Sequence, residues 1–266
     1  MSHEFQQHFL GRIRSIIDKY KIKGTIAVAL SGGKDSTACF HALNKFNFKL
    51  LPFYIDVGIH GFSEKCEEMA EKISNELGYN LNVIRVRDYG IDINKAKKKC
   101  SVCGTVRRYL MNKFAFENGC DYIATGHNLD DIVTFAFNNL ANVNILNFRG
   151  MKPFLEGNEK VKMVAKIKPL YYLKDDECLS YVKMNDLPYC RETCPYAKDA
   201  PTLEIKEWLN KIEKKRNGML LNFAKSFSKI EEKMEKSEIR ACNICGYPSY
   251  GRICKFCKLR RKYGKI

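Results

Sequence analysis

The stretch that most restricts the fold is "TIAVALSGGKDSTACFHALNKF", residues 25–46. An almost continuous apolar run stops at a Ser-Gly-Gly turn, and a helical pattern follows at once. A strand with no polar alternation is buried on both faces, which calls for a parallel sheet with helices packed on each side. The chain repeats this alternation. Further strands are predicted at 50–56, 82–88, 121–126 and 162–170, and helices at 4–20, 63–78, 105–118, 129–142 and 174–186. The expected fold class is α/β, a doubly wound parallel sheet with C-terminal helices and a small zinc finger. The boundaries follow composition: an N-terminal helix over 1–22, the sheet domain over 23–200, a charged helical segment over 201–238 with a break at Gly218, and a polar, glycine-rich metal module over 239–266.

"SGGKDS", Ser31 to Ser36, follows the first strand. Gly32 and Gly33 let backbone N–H groups turn toward an anion, and the helix opening near Asp35 aims its N-terminus at the same place. Ser31, Lys34 and Ser36 supply further donors, and Lys34 is a candidate catalytic residue. The G-x-x-x-x-G-K-[ST] spacing of a Walker loop is absent. The stretch instead resembles the pyrophosphate loop of ATP pyrophosphatases, which hold ATP by its phosphates and attack the α-phosphorus.

"TGHNLDD", Thr125 to Asp131, ends the fourth strand, at the edge where open parallel sheets bind ligands. Asp130 is expected to cap the next helix, and Asp131 to turn to the ligand, where paired carboxylates suit magnesium (Mg2+). Asp56 ends the second strand at the same edge and is a candidate nucleotide or metal contact.

The net charge of +16, from 46 Lys+Arg against 30 Asp+Glu, favours a polyanionic partner, most simply nucleic acid. No segment has the length and apolarity of a membrane span, and no secretory signal is read, so a cytoplasmic protein is expected. In such a protein, twelve cysteines point to metal or redox chemistry. Cys242, Cys245, Cys254 and Cys257 form C-x2-C-x8-C-x2-C, the spacing of a structural Zn2+ site. The basic and aromatic residues around it suit RNA, a dimer contact or a stabilising plug. Cys100, Cys103, Cys190 and Cys194 admit three readings: a redox pair, a closed zinc site, or a cluster held by three thiolates. Spacing alone does not decide among them.

"AVALSGGKDS", "CSVCGTVRRYLMN", "TGHNLDD", "IKPLYYLKDDE" and "ETCPYAKDAP" occur in the order found in tRNA 2-thiolation enzymes. The chain is identified as a member of the TtcA/TtuA family, TtuA-like branch, of the PP-loop superfamily. "CNICGYPSYGRICKFC" resembles the C-terminal zinc finger of that branch. The resemblance covers residues 6–258 and implies a tRNA uridine 2-sulfurtransferase. It also implies that Cys100, Cys103 and Cys194 ligate a 4Fe-4S cluster with one open iron, and that Asp131 and Arg107 are catalytic. Ala29, Ser31, Gly33, Ser36, Ile55 and Gly126 would line the ATP site. ATP would adenylate the uridine C2 oxygen, and free sulfide or the thiocarboxylate of a ubiquitin-like sulfur carrier would displace AMP. Lys97 to Lys99 would meet tRNA phosphates, and a homodimer is left open. In three respects the chain departs from the pattern. It opens at the first helix, without the N-terminal cysteine-rich finger common in the branch. Position 107 is Arg where the family has Lys, which keeps the charge but not a proton-transfer group. Cys190 is an extra thiol: a spectator, a persulfide carrier or a fourth ligand. Two competing functions are a PP-loop enzyme with a small-molecule acceptor, in amidation or sulfate reduction, and a non-catalytic RNA-binding zinc protein.

Overall fold

The computed structural model describes residues 2–142, 150–197, 201–232 and 238–263. Residues 198–200 of the predicted sheet domain and 233–237 of the predicted helical segment lie outside this set. The strands are β1 (Thr25–Leu30), β2 (Lys49–Asp56), β3 (Asn82–Arg85), β4 (Tyr122–Thr125), β5 (Phe154–Leu155) and β6 (Ala165–Ile167). They form one sheet in the order β3-β2-β1-β4-β6-β5, parallel except for β5. The helices are α1 (Ser2–Lys19), α2 (Lys34–Asn44), α3 (Ser63–Glu76), α4 (Lys99–Glu117), α5 (Leu129–Ala141), α6 (Asp175–Met184), α7 (Pro201–Lys215), α8 (Met219–Glu232) and α9 (Lys255–Tyr263). None of those described is long and apolar enough to cross a membrane.

Alternation along β1 sorts the core. Ile26, Val28 and Leu30 face α1, α2, α3 and α6, meeting Phe9, Phe40, Ile73 and Tyr181. Ala27, with Phe53 and Ile123 of the neighbouring strands, faces α4 through Val106 and Leu110. The expected double burial is therefore present. β1 lies between β2 and β4, so the connections leave it in opposite directions and a crevice opens at the carboxyl ends of β1 and β4.

α4 corrects the sequence reading. A helix was expected after the Cys-x-x-Cys pair, near 105, but it begins at Lys99 and carries Cys100 and Cys103 in its first two turns. Val102, Val106 and Leu110 are all buried, and this i, i+4 line pulls the first turn onto the core. The same helix seats the C-terminal module, whose hairpin pairs β7 (Arg240–Ala241) with β8 (Pro248–Ser249). Tyr109 stacks on Phe256 at 3.7 Å and meets Tyr247 edge-on at 5.4 Å. The Tyr247 hydroxyl donates to Glu117 at 3.0 Å.

α7 and α8 close on each other through Glu213, whose carboxylate accepts from the Gly218 and Leu220 N–H groups, each at 2.9 Å. It thus caps α8 and also pairs with Lys174 at 2.6 Å. Burial raises the Glu213 carboxyl, but Lys174 and the two N–H groups prevail and hold it below its ordinary value. Its contribution is therefore present above the ordinary carboxylate range and is lost as pH falls through the lowered value. Glu213→Ala should cost about 2–3 kcal/mol at neutral pH, because it strands a partly buried ammonium and two N–H groups. Thermal denaturation at pH 7 and pH 3 checks both the size and its loss in acid.

Candidate functional site at the strand ends

The loop from Ser31 to Ser36 is held by its own hydroxyls. Ser36 Oγ accepts from the Ser31 N–H at 3.0 Å and donates to the Gly33 carbonyl at 2.9 Å. Ser31 Oγ lies 3.0 Å from it. Gly32 has φ +77°, and a Cβ there would sit 2.2 Å from the Cys66 carbonyl oxygen, so only glycine fits. Gly33 is the N-cap of α2 and no side chain caps that helix. Its first-turn N–H groups therefore face the crevice as an anion site. Gly126 backs this turn, where a Cβ would lie 2.7 Å from the Ser36 nitrogen. Ala29 and Ile55 lie beside the loop on the α4 side of the sheet.

The charged residues form a linked set. Lys34 turns to Asp35 at 2.8 Å and to Asp175 at 3.0 Å. Lys206, from α7, lies 3.0 Å from Asp131 and 2.8 Å from Asp175. Asn128 Nδ2 donates to Asp35 and Asp175, each at 3.2 Å. Burial pushes the Asp175 carboxyl up, but Lys206 and Lys34 overcome it and hold it at about 2. Burial leaves Asp35 raised despite Lys34. Capping differs from expectation. Asn128, not Asp130, caps α5, in a reciprocal box with Asp131. Asp130 instead accepts from the Asp175 N–H at 2.9 Å and so holds the start of α6. Asp56 is engaged by the Gly58 N–H at 2.7 Å and by Arg85 at 3.0 Å. A cavity of about 620 Å³ beside it is lined by Arg85, Lys95 and Tyr263, and by no residue of the glycine loop.

The central cysteines gather at the same rim. Cys100 Sγ donates to the Tyr196 carbonyl at 3.2 Å, which ties the pair to the segment carrying Cys194. Burial pushes the Cys103 thiol up, opposed by the charges of Arg107 and Arg108. Neither arginine has a carboxylate partner among the described residues. The charge of Arg107 also reaches His127, which burial, Lys168, Lys166 and Arg107 hold down at about 4 against Asp131. His127 is thereby neutral, with Nδ1 2.8 Å from Thr125 Oγ1. Lys166 is pushed down to about 8 by burial and by Arg108. Cys190 keeps other company. Its N–H donates to the Gly32 carbonyl at 2.8 Å, and its thiol neighbour is Cys66, whose own thiol burial raises to about 12.

The only group of three or more Cys, His, Asp or Glu ligand atoms within 4.8 Å of one another among the described residues is Cys242, Cys245, Cys254 and Cys257. Zn–S bonds of about 2.3 Å in a tetrahedron put sulfurs roughly 3.8 Å apart. Cys245 and Cys254 are 3.8 Å apart, so the set fits that ion. Burial raises the Cys242 thiol, yet the N–H groups of Cys254, Cys245 and Ile244 bring it down to about 6. Cys194 and Cys100 lie near enough to Cys103 to act on its thiol, as Arg107 and Arg108 do, but the three cysteines form no group within 4.8 Å.

Sequence reasoning did not single out Asp175, Lys206 or Asn128. Asp175 and Asn128 stood inside quoted motifs without a role, whereas nothing in the charged helical segment marks Lys206 among its many lysines.

A family model for the PP-loop domain matches residues 3–198. The chain is 39% identical over 265 residues to the tRNA-5-methyluridine(54) 2-sulfurtransferase of Pyrococcus horikoshii, covering 96% of this chain and 85% of that protein. It is 34% identical to the protein of the same description in Thermotoga maritima, covering 98% and 90%. The structure of the U34-tRNA thiolase NcsA from Methanococcus maripaludis with its 4Fe-4S cluster superposes with a TM-score of 0.89 at 28% identity, covering 100% of this chain and 90% of that one. NMN synthetase from Francisella tularensis, at 14% identity and a TM-score of 0.53, shares the fold alone.

Gly126→Ala should cost about 1–3 kcal/mol and weaken anion binding at the loop, because the added methyl meets backbone. Gly11→Ala, in α1 with nothing within 4 Å, should stabilise by up to about 1 kcal/mol. Thermal melts of both variants check the contrast.

Proposed function

The chain belongs to the PP-loop family of tRNA 2-sulfurtransferases, and from that premise we propose that it replaces the C2 oxygen of a tRNA uridine with sulfur, at the cost of ATP. The observation that carries this reading is the bond from the Cys190 N–H to the Gly32 carbonyl at 2.8 Å, which lays the segment bearing Cys194 on the glycine loop, while the Cys100 thiol donates to the Tyr196 carbonyl of that segment at 3.2 Å. The thiols and the nucleotide loop thus share one rim. The +16 charge and the basic α9, with Arg260, Arg261 and Lys262 in its last turn, support tRNA as the acceptor. The similarity to small-molecule synthetases stops at the fold. The names of the more similar relatives support 5-methyluridine 54 as the target.

The first step makes the C2 oxygen a leaving group. That oxygen attacks the α-phosphorus of ATP, a C2–O–P bond forms, the bond to the β-phosphate oxygen breaks, and the uracil N3 proton is lost. The open N–H groups at the start of α2, with Ser31, hold phosphate oxygens and drain charge from them. Ala29 and Ile55 give the adenine an apolar wall. In the second step sulfide adds to C2 and AMP leaves with the original oxygen. Arg107 stabilises negative charge in both steps and takes no proton. His127 is neutral at working pH, so it meets the base as a hydrogen-bonding group rather than as a cation.

Three groups would complete this chemistry. Mg2+ on Asp131 and Asp175 would supply charge neutralisation to the departing pyrophosphate. A 4Fe-4S cluster on Cys100, Cys103 and Cys194 would supply an open iron to keep sulfide nucleophilic. Zn2+ on Cys242, Cys245, Cys254 and Cys257 would fix the finger against α4. Cys190, whose thiol neighbour is Cys66, would be a spectator.

Anaerobically reconstituted enzyme, given ATP, sulfide and tRNA that carries 5-methyluridine but no thiolated nucleoside, should yield AMP, pyrophosphate and thiolated nucleoside in equal amounts. Nucleoside mass spectrometry should place the sulfur on 5-methyluridine, and tRNA with no thiolated nucleoside would sink the reading. Cys103→Ser and Cys194→Ser should each lose the visible absorption of the cluster and more than about 100-fold of activity, since even the outer partners of metal ligands cost about 10–100-fold. Cys190→Ser should keep both, as read by iron analysis beside the rate.

A further inference from the structure

α7 lies outside the sheet, yet one of its side chains enters the nucleotide site. Leu209 of α7 is buried with Leu220 and Ala224 of α8 and with Ile132 and Val133 of α5. Lys206 and Glu213 stand seven residues apart, two turns along the same face of α7. They grip adjacent residues at the start of α6: Glu213 takes Lys174 at 2.6 Å, and Lys206 takes Asp175 at 2.8 Å. The Glu213 contact ends there and at the α8 cap. The Lys206 contact goes further, because the same ammonium lies 3.0 Å from Asp131 Oδ1.

We propose that Lys206 is a positioning residue for the adenylation step, holding Asp131 and Asp175 as one unit so that docking of α7 sets the geometry of the nucleotide site. This rests on the adenylation reading above. Asp131 is held at both oxygens, Oδ1 by Lys206 and Oδ2 by the Asn128 N–H at 3.4 Å. The second bond is long, so Lys206 is the stronger restraint. Three carboxylates, Asp35, Asp131 and Asp175, face two ammonium groups, Lys34 and Lys206. Without Lys206, three face one. Asp131 is then free to turn, and the two carboxylates lose the shared ammonium that sets their spacing. The Lys206 side chain is 25% exposed, so solvent screens this only in part.

The test uses the full chain with its metals. ATP binding is measured by titration calorimetry without tRNA, and thiolation kinetics are measured with it, for wild type, Lys206→Met, Lys206→Arg and Glu213→Gln. Lys206→Met should weaken ATP binding about tenfold, a change of about 1.4 kcal/mol. It should also lower kcat while leaving KM for tRNA unchanged. Lys206→Arg should recover most of both. Glu213→Gln should lower the melting temperature and leave ATP binding as in wild type. The proposal is overturned if Lys206→Met binds ATP like wild type, if arginine fails to rescue, or if Glu213→Gln weakens ATP equally, since loosened packing would then be the cause. A wild type that binds ATP but thiolates no tRNA overturns the functional reading and leaves the binding comparison to judge Lys206. A wild type that binds no ATP overturns both.

Discussion

The site depends on how closely backbone can pack around the first turn of α2. Two approaches fix that turn, and each is possible only because a side chain is missing. Gly32 rests on the backbone of Cys66, and Gly126 rests on the backbone of Ser36. The first approach turns the loop so that the uncapped N–H groups of α2 face the crevice. The second brings the loop after β4 against the loop after β1, so that Asn128, Asp131 and Asp35 fall within reach of one another. Without these contacts the strand ends would carry the same residues with no common geometry.

From this turn the structure extends in two directions. On one side, the Cys190 N–H bonds to Gly32 and draws the segment bearing Cys194 across the loop, toward Cys103 and Arg107. α4 then serves two purposes. Its N-terminal end presents two thiols, and its later turns seat the four-cysteine module through Tyr109. On the other side, the carboxylates reach α6 and α7 through Asp175 and Lys206. The C-terminal helices are therefore part of the site's electrostatics as well as its packing.

Most of this was legible from the sequence where a residue type had one physical use. β1 runs over the predicted 25–30 because its residues are buried on both faces, and Gly32 and Gly126 stand where a positive φ or a bare backbone is required. Four thiols at finger spacing meet as a zinc-sized group. The failures share a cause. β5 is two residues long, and no periodicity shows at that length. α4 starts early because Val102 buries, while Lys99, Gly104 and the cysteines read as loop. Asp130 looked like a cap because it is acidic and near a helix start, but Asn128 satisfies the capping box and Asp130 serves the next helix. Lys206 could not be singled out, since its importance comes from a tertiary approach and not from its neighbours in sequence.

The account stands on one chemical claim: the uridine oxygen leaves attached to AMP, at a site shared by nucleotide and sulfur. The direct measurement is an isotope transfer. A tRNA carrying ¹⁸O at C2 of the target uridine is thiolated by the reconstituted enzyme, and the AMP is analysed by mass spectrometry. One ¹⁸O in the phosphate of AMP for each sulfur installed is the predicted result. Unlabelled AMP alongside thiolated tRNA would contradict it.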